Sequence, residues 1–206
     1  MPSAISTRSI RRPSTRETKT IVCDICVVGA GIAGVSAALE AARLGRTVVI
    51  VDAAPALGGQ AIGSIIGTII GLYTHGSTPY QITHLVADDL IRDLDAEGSL
   101  YRRKSMTNTV TFLYDEVRLG RWMETQIARA GVTSVVGAVL TNVAFAHRRV
   151  QHVEFTTRFG AVRIEAAGYV DASGDASLSY EAGRVDRKST RLNSSHRSLS
   201  RMPSSA

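Results

Sequence analysis

Residues 21–60 read IVCDICVVGAGIAGVSAALEAARLGRTVVIVDAAPALGGQ, and their order decides the fold. Ile21 to Val28 is an apolar run rich in β-branched residues, the composition of a buried parallel strand. Gly29, Gly31 and Gly34 follow at once in G-x-G-x-x-G spacing. Ala37, Ala38, Leu39, Ala41, Ala42 and Leu44 then make a helix that Gly45 closes at its C-terminal cap. A second apolar strand, Thr47 to Val51, ends at Asp52.

Each part of this unit has a physical task. Gly29 permits a tight turn, and Gly31 has no Cβ to hold the backbone away from a pyrophosphate. Gly34 and the small Ala38 let the helix lie close on the sheet. The helix N-terminus points unpaired N–H groups and a positive dipole end at the phosphates. Asp52 can accept hydrogen bonds from a ribose hydroxyl. A bare G-x-G-x-x-G is a weak signal. Here strand, turn, helix, second strand and acid arrive in order, with Asp52 about 20 residues along, and the unit reads as dinucleotide-binding.

Composition narrows the function classes. The 206 residues are 44% hydrophobic, enough for a soluble domain with a proper core. The net charge of +6 is a property of the ends: residues 1–20 and 186–206 each hold five Lys/Arg and one acid, so residues 21–185 keep 14 basic and 16 acidic side chains. The body is mildly acidic, and the charge gives no reason to expect a nucleic-acid partner. The most apolar run, Ala61 to Leu72, is too short to span a membrane. Cys23 and Cys26 have C-x-x-C spacing, but lie in the first strand on expected opposite faces. They read as two small apolar side chains, with no metal site and no disulfide framework, as in a reducing cytoplasm.

Beyond Asp52, Ala53 to Gln60 is a loop with Pro55 and Gly58-Gly59, and Ala61 to Gly76 is glycine-rich without clean periodicity. Thr78 and Pro79 read as an N-cap and first helical residue, predicting a helix to about Leu94 with Ile82, Leu85, Val86, Leu90, Ile91 and Leu94 on one face. A short extended piece is expected over Asn108 to Leu113. Asp115 caps a helix to Ala130, with Leu119, Met123, Ile127 and Ala130 on its buried side and Gly131 as its stop. Val132 to Val136 is a short parallel strand. Three antiparallel strands follow, Val139 to Ala146, Val150 to Thr157 and Ala161 to Ala166, jointed at His147-Arg148 and Arg158-Phe159-Gly160. Gly168-Tyr169-Val170 returns to the main sheet and delivers Asp171-Ala172-Ser173-Gly174-Asp175.

With the glycine motif, the acid, the later Gly-Gly, the meander and VDASGDA, residues 21–183 resemble the FAD-dependent oxidoreductases that include glutathione reductase and fumarate reductase relatives. The resemblance implies an α/β, Rossmann-like FAD-binding fold, a parallel sheet with helices on one side and a three-stranded β-meander on the other. It implies FAD as cofactor, with Gly29, Gly31, Ile32, Ala33 and Gly34 around the pyrophosphate. Asp52, with Ala53 beside it, would hold the adenosine ribose; the family more often has Glu there. Gly59 and Gln60 match its Gly-Gly-x, and Val139 or Leu140 stands where such proteins touch adenine. Ala172, Ser173, Gly174 and Asp175 match its Ala-Thr-Gly-Asp, with Asp175 the polar contact. The Gly58-Gly59 pair and this second motif favour FAD over an NAD(P)-dependent dehydrogenase. A non-catalytic FAD-binding module is a further alternative.

Flavin chemistry belongs mostly to the cofactor ring, which the protein orients. Tyr73, His75 and His84 are candidate proton carriers, but a histidine in a loop or on a helix is more often structural, and no catalytic residue is assigned. The reaction implied is electron transfer between a small organic substrate and an acceptor. Residues 1–20 read as a disordered basic tail; they have the Arg/Ser composition of a transit peptide or twin-arginine leader but no apolar segment. Residues 186–206, DRKSTRLNSSHRSLSRMPSSA, back-translate into a common short-read sequencing adapter. The expectation is that the native sequence is cut near Val185, leaving the FAD-binding part of a longer and, as given, inactive enzyme.

Overall fold

The computed structural model describes residues 18–104 and 108–183. The expectations for the N-terminal tail up to residue 17 and for the adapter-like segment lie outside them. β1 (Lys19–Val28), α1 (Ile32–Arg43) and β2 (Val48–Asp52) form the expected first unit, β2 parallel to β1. α2 (Gln60–Gly63) and β3 (Thr68–Ile70) are short, and α3 (Val86–Ala96) follows. β4 (Leu100–Lys104), β5 (Val110–Tyr114), α4 (Glu116–Arg129) and β6 (Thr133–Val136) lead to β7 (Ala138–Ala146), β8 (Arg149–Thr157), β9 (Gly160–Asp171) and α5 (Ser177–Glu181).

The main sheet has the order β6-β2-β1-β9-β8-β7, parallel through β9 and antiparallel beyond it. Alternation along its strands gives it two apolar faces. In β2, Val48 and Ile50 join Val35, Leu39, Leu90, Leu119 and Met123 of α1, α3 and α4. Val49 and Val51 alternate to the other side and pack with Val153, Phe155, Val162 and Ile164 of the meander. Helices therefore cover one face and the meander the other, as the family resemblance implies.

Besides Ala130, which is exposed at the end of α4 rather than buried, four details depart from the sequence reading. The helix expected from Pro79 starts only at Val86, because residues 72–82 fold back on themselves. Thr74 N–H donates to Tyr80 O at 2.9 Å and Ile82 N–H to Leu72 O at 2.8 Å. Asp88 then accepts from Leu85 N–H at 2.9 Å and fixes the true start. Ile82 and Leu85 lie outside the helix and are exposed. Second, β4 was not expected; with β3 and β5 it makes a separate antiparallel sheet. Only Leu100 of LYRRK is buried, so the strand has no apolar alternation to betray it.

Third, the last meander strand and the return strand are one. β9 pairs with β1 from Val162 to Asp171 and with β8 only from Gly160 to Ile164. Where β8 departs, the Ala166 N–H loses a strand partner and donates instead to Tyr169 Oη at 2.9 Å. Fourth, Cys23 and Cys26 border the same apolar cluster rather than opposite faces. Asp24 N–H and Ile25 N–H both donate to Thr47 O, at 3.0 and 3.1 Å. This bulge shifts the alternation by one, so Ile21 and Cys23 face the same side as Cys26 and Val28. Both thiols are free; burial, and then neighbouring Cys23, push Cys26 up to about 12, the state of an inert packing residue.

The β7–β8 joint lies at His147-Arg148 as expected, with φ of 50° and 63°. Two left-handed residues between paired Ala146 and Arg149 make a type I′ turn, for which Asn-Gly is the favoured pair. Replacing both, His147→Asn with Arg148→Gly, is expected to raise the free energy of unfolding by about 1–2 kcal/mol, read from the denaturant midpoint at unchanged slope.

Candidate FAD-binding site

Three loops meet at the C-terminal ends of β1, β2 and β9. The first is the glycine turn. Gly29 has φ of 103° and donates to Val51 O at 2.7 Å. A Cβ on Gly29 would lie 2.2 Å from Ala172 O, and one on Gly34 1.8 Å from Gly29 O. Gly31 is the N-cap of α1, and a Cβ there would meet nothing within 4 Å. Gly29 and Gly34 are therefore required by the protein's own packing, whereas Gly31 is bare toward open space. Ile32 and Ala33 open the helix and are exposed; no side chain caps this end and no acid occupies its first turn. Its first amides have no intrahelical partner, the arrangement that receives an anion.

The second loop follows β2. Gly58 N–H donates to Ala30 O at 2.7 Å. A Cβ on Gly59, whose φ is 50°, would lie 3.0 Å from Gly31 Cα. Gly59 and Gly31 thus form one side-chain-free ridge, with Gln60 exposed at its end. Asp52 ties the two loops together. Its Oδ2 accepts from Ala30 N–H at 2.5 Å and its Oδ1 from Ala54 N–H at 2.7 Å. The carboxylate is fixed by backbone amides, and each oxygen keeps acceptor capacity for a ligand hydroxyl.

The third loop leaves β9. Ala172 N–H donates to Val28 O at 2.8 Å, and its backbone covers Gly29. Ser173 is only partly available: its hydroxyl donates to Asp171 Oδ1 at 2.7 Å and accepts from Ser177 N–H at 2.8 Å. Gly174 takes φ of 82°, and Asp175 is exposed.

Two clefts flank the glycine ridge. On the meander side, a cleft of about 350 Å³ is lined by Gly29, Asp52, Ala53, Val139, Leu140, Phe155, Ser173, Asp175 and Glu181 among others. Three carboxylates and no Lys, Arg or His face it. On the helix side, a cleft of about 240 Å³ is lined by Ile32, Gln60, Ala61, Ile66, Ile69 and Tyr114 with two neighbours. Phe155, Ser177 and Glu181 went unrecognised in the sequence, since they reach the cleft from β8 and α5, more than a hundred residues beyond Asp52. Tyr73, His75 and His84 line neither cleft. Tyr73 Oη donates to Gln81 Oε1 at 3.0 Å under the Arg102 guanidinium, His75 meets Thr109 Oγ1 at 3.1 Å, and His84 lies 3.3 Å from Asp88 Oδ1. Among the described residues no group of three His, Cys, Asp or Glu is placed to hold a metal ion.

The family model described as FAD dependent oxidoreductase matches residues 24–196. The chain belongs to this family. FAD is its cofactor, as the resemblance implies, and nothing favours the NAD(P) alternative. No curated protein matches the chain by sequence. Among solved structures, THI4 from Thermovibrio ammonificans is similar at 20% identity and a TM-score of 0.55, over 80% of this chain and 64% of that one. The p-nitrophenol 4-monooxygenase of Pseudomonas putida is similar at 12% identity and 0.57, over 81% and 44%. A geranylgeranyl bacteriochlorophyll reductase-like protein of Thermoplasma acidophilum is similar at 17% and 0.53, over 80% and 42%. These likenesses are of fold, and this flavoprotein chain spans 42–64% of the length of the three.

The glycines of the ridge separate into two kinds by experiment. Gly34→Ala is expected to lower stability by about 1–3 kcal/mol or to prevent folding, because backbone must move. Gly31→Ala, with φ of −72° and open space, is expected to stay within about 0.5 kcal/mol of the parent in a thermal melt.

Proposed function

We propose that this chain grips FAD across the glycine ridge and serves an oxidoreductase acting on a small organic molecule. The single observation that carries the reading is the bare ridge of Gly31 and Gly59 beside an uncapped helix N-terminus, flanked by one polar and one apolar cleft. The amides of Ile32, Ala33 and Gly34 would hold the pyrophosphate, with Gly59 and Gln60 on its other side. Asp52 would accept from the ribose hydroxyls, and Val139 and Leu140 would pack on adenine. Asp175 would bind a hydroxyl of the sugar chain, and Ala172 and Gly174 would give backbone room beside it. The apolar wall of Ile32, Ile66 and Ile69 suits the flat ring end.

When bound, FAD supplies a reversible electron carrier, so the tasks left to these residues are binding, orientation and exclusion of water. The polar cleft suits this division. Carboxylates in it attract sugar and amine donors and repel phosphate, which falls to the helix amides instead. Tyr114 is the one titratable side chain lining the apolar cleft. Burial, and then neighbouring Glu116, raise its pKa, and its hydroxyl donates to Ala61 O at 2.6 Å. No other acid or base among the described residues lines that cleft. The substrate is proposed as a small organic molecule, with neither nucleic acid nor membrane as partner and a cytoplasmic location. Among the described residues no helix is long and apolar enough to cross a membrane.

Purified protein stripped of ligand is expected to take up added FAD, followed by quenching of flavin fluorescence, and to ignore NAD⁺. Gly31→Val should fold like the parent and bind FAD at least tenfold more weakly, roughly the loss of one charge-assisted hydrogen bond. A folded parent chain that binds NAD⁺ and not FAD sinks the reading.

A further inference from the structure

Asp171 and Asp175 lie four residues apart at the end of β9, and the structure gives them different work. Asp175 lines the polar cleft, and among the described residues its side chain has no hydrogen-bonding partner. Asp171 does not line that cleft. Its carboxylate instead collects both ends of the loop that carries Asp175. Oδ1 accepts from Ser173 N–H at 3.2 Å and from Ser173 Oγ at 2.7 Å, and Oδ2 accepts from Ser179 N–H at 2.8 Å. Ser173 Oγ passes the link on by accepting from Ser177 N–H at 2.8 Å.

Between these anchors the backbone makes two left-handed steps, at Gly174 with φ of 82° and at Ala176 with φ of 56°. An alanine seldom adopts that conformation, and it persists where surrounding bonds over-determine it. Burial alone would raise the Asp171 pKa, but the bonds from Ser173 and Ser179 outweigh it and hold the carboxyl below its ordinary value, so the anion is the form that ties the loop.

We propose that Asp171 is a positioning residue: it gathers residues 173–179 around its carboxylate so that Asp175 is presented to the cofactor's sugar chain. The proposal rests on the FAD reading above. It predicts that Asp171 contributes to cofactor affinity through Asp175 and not by contact of its own.

A double-mutant cycle on the full chain tests it, with FAD dissociation constants measured for the parent, Asp171→Asn, Asp175→Asn and the double variant. Asp171→Asn keeps the shape and turns one acceptor into an NH₂ group facing the donors of Ser173 or Ser179. Each single variant is expected to bind FAD about tenfold more weakly or worse. The double variant is expected to bind no more weakly than Asp175→Asn alone. A merely structural Asp171 lowers the melting temperature and leaves the cost of Asp175→Asn unchanged, so that the two losses multiply; that result overturns the proposal, as does an Asp171→Asn variant that binds like the parent. Should Asp171→Asn fail to fold, Ser173→Ala takes its place in the cycle, with the same non-additivity expected and simple multiplication again overturning it. A folded parent that binds no FAD refutes the underlying reading, whereas a parent that binds and a cycle that multiplies refute this proposal alone.

Discussion

The closeness of three backbones at Gly29, Gly34 and Ala172 is the constraint on which the rest depends. A single carbon added at Gly29 or Gly34 would fall about 2 Å from a carbonyl oxygen. That contact seats the first turn of α1 on the ends of β1 and β9, and it brings the turn after β2 within reach of both. No side chain stands over Gly31 and Gly59 beside the first amides of α1. The ridge is therefore made of main chain, and the layer beneath it leaves no room for a side chain at Gly29 or Gly34.

Asp52 adds a second element of rigidity. An acid at the end of β2 would be expected to wait for a ligand, yet both its oxygens already hold backbone amides. The carboxylate thus builds the site as well as lining it, fixing the glycine turn to the following loop with two charge-assisted hydrogen bonds. Its remaining lone pairs then face a cleft whose other charged walls, Asp175 and Glu181, carry the same sign.

Local physics explains which parts were legible in the sequence. The first βαβ unit, the Asp115 cap, the Gly131 stop and the His147-Arg148 turn are written in spacing and in residues with narrow backbone preferences, and they lie within a residue or two of where they were read. Asp115 indeed accepts from Arg118 N–H at 2.9 Å. The α3 start was misplaced because Thr78-Pro79 is an equally good turn signal, and only pairing of residues 72–74 with 80–82 decides between the two. β4 carries arginines where alternation was sought, and one of them lies over Tyr73. The bulge at Asp24 is invisible without Thr47 beside it. In the site, glycines and acids could be named from their motifs, but which acids are tied to the backbone is a matter of hydrogen-bond partners. Ser173, named from its motif, lines the cleft and also bridges Asp171 and Ser177. Phe155 and Glu181 reach the cleft from β8 and α5, far along the chain from Asp52.

The continuity of β9 has a bearing on how the molecule comes to be. Val28 cannot find its neighbour Asp171 until about 140 further residues exist, and the meander must turn back twice before that strand arrives. Closing so long a loop delays the central pairing relative to the local helices and hairpins. During synthesis β1 and β2 therefore emerge with one flank of β1 unsatisfied, an apolar edge with strong affinity for any extended chain. The late arrival of β9 both seals that edge and finishes the floor beneath the glycine turn, so the same strand ends the exposure and completes the turn.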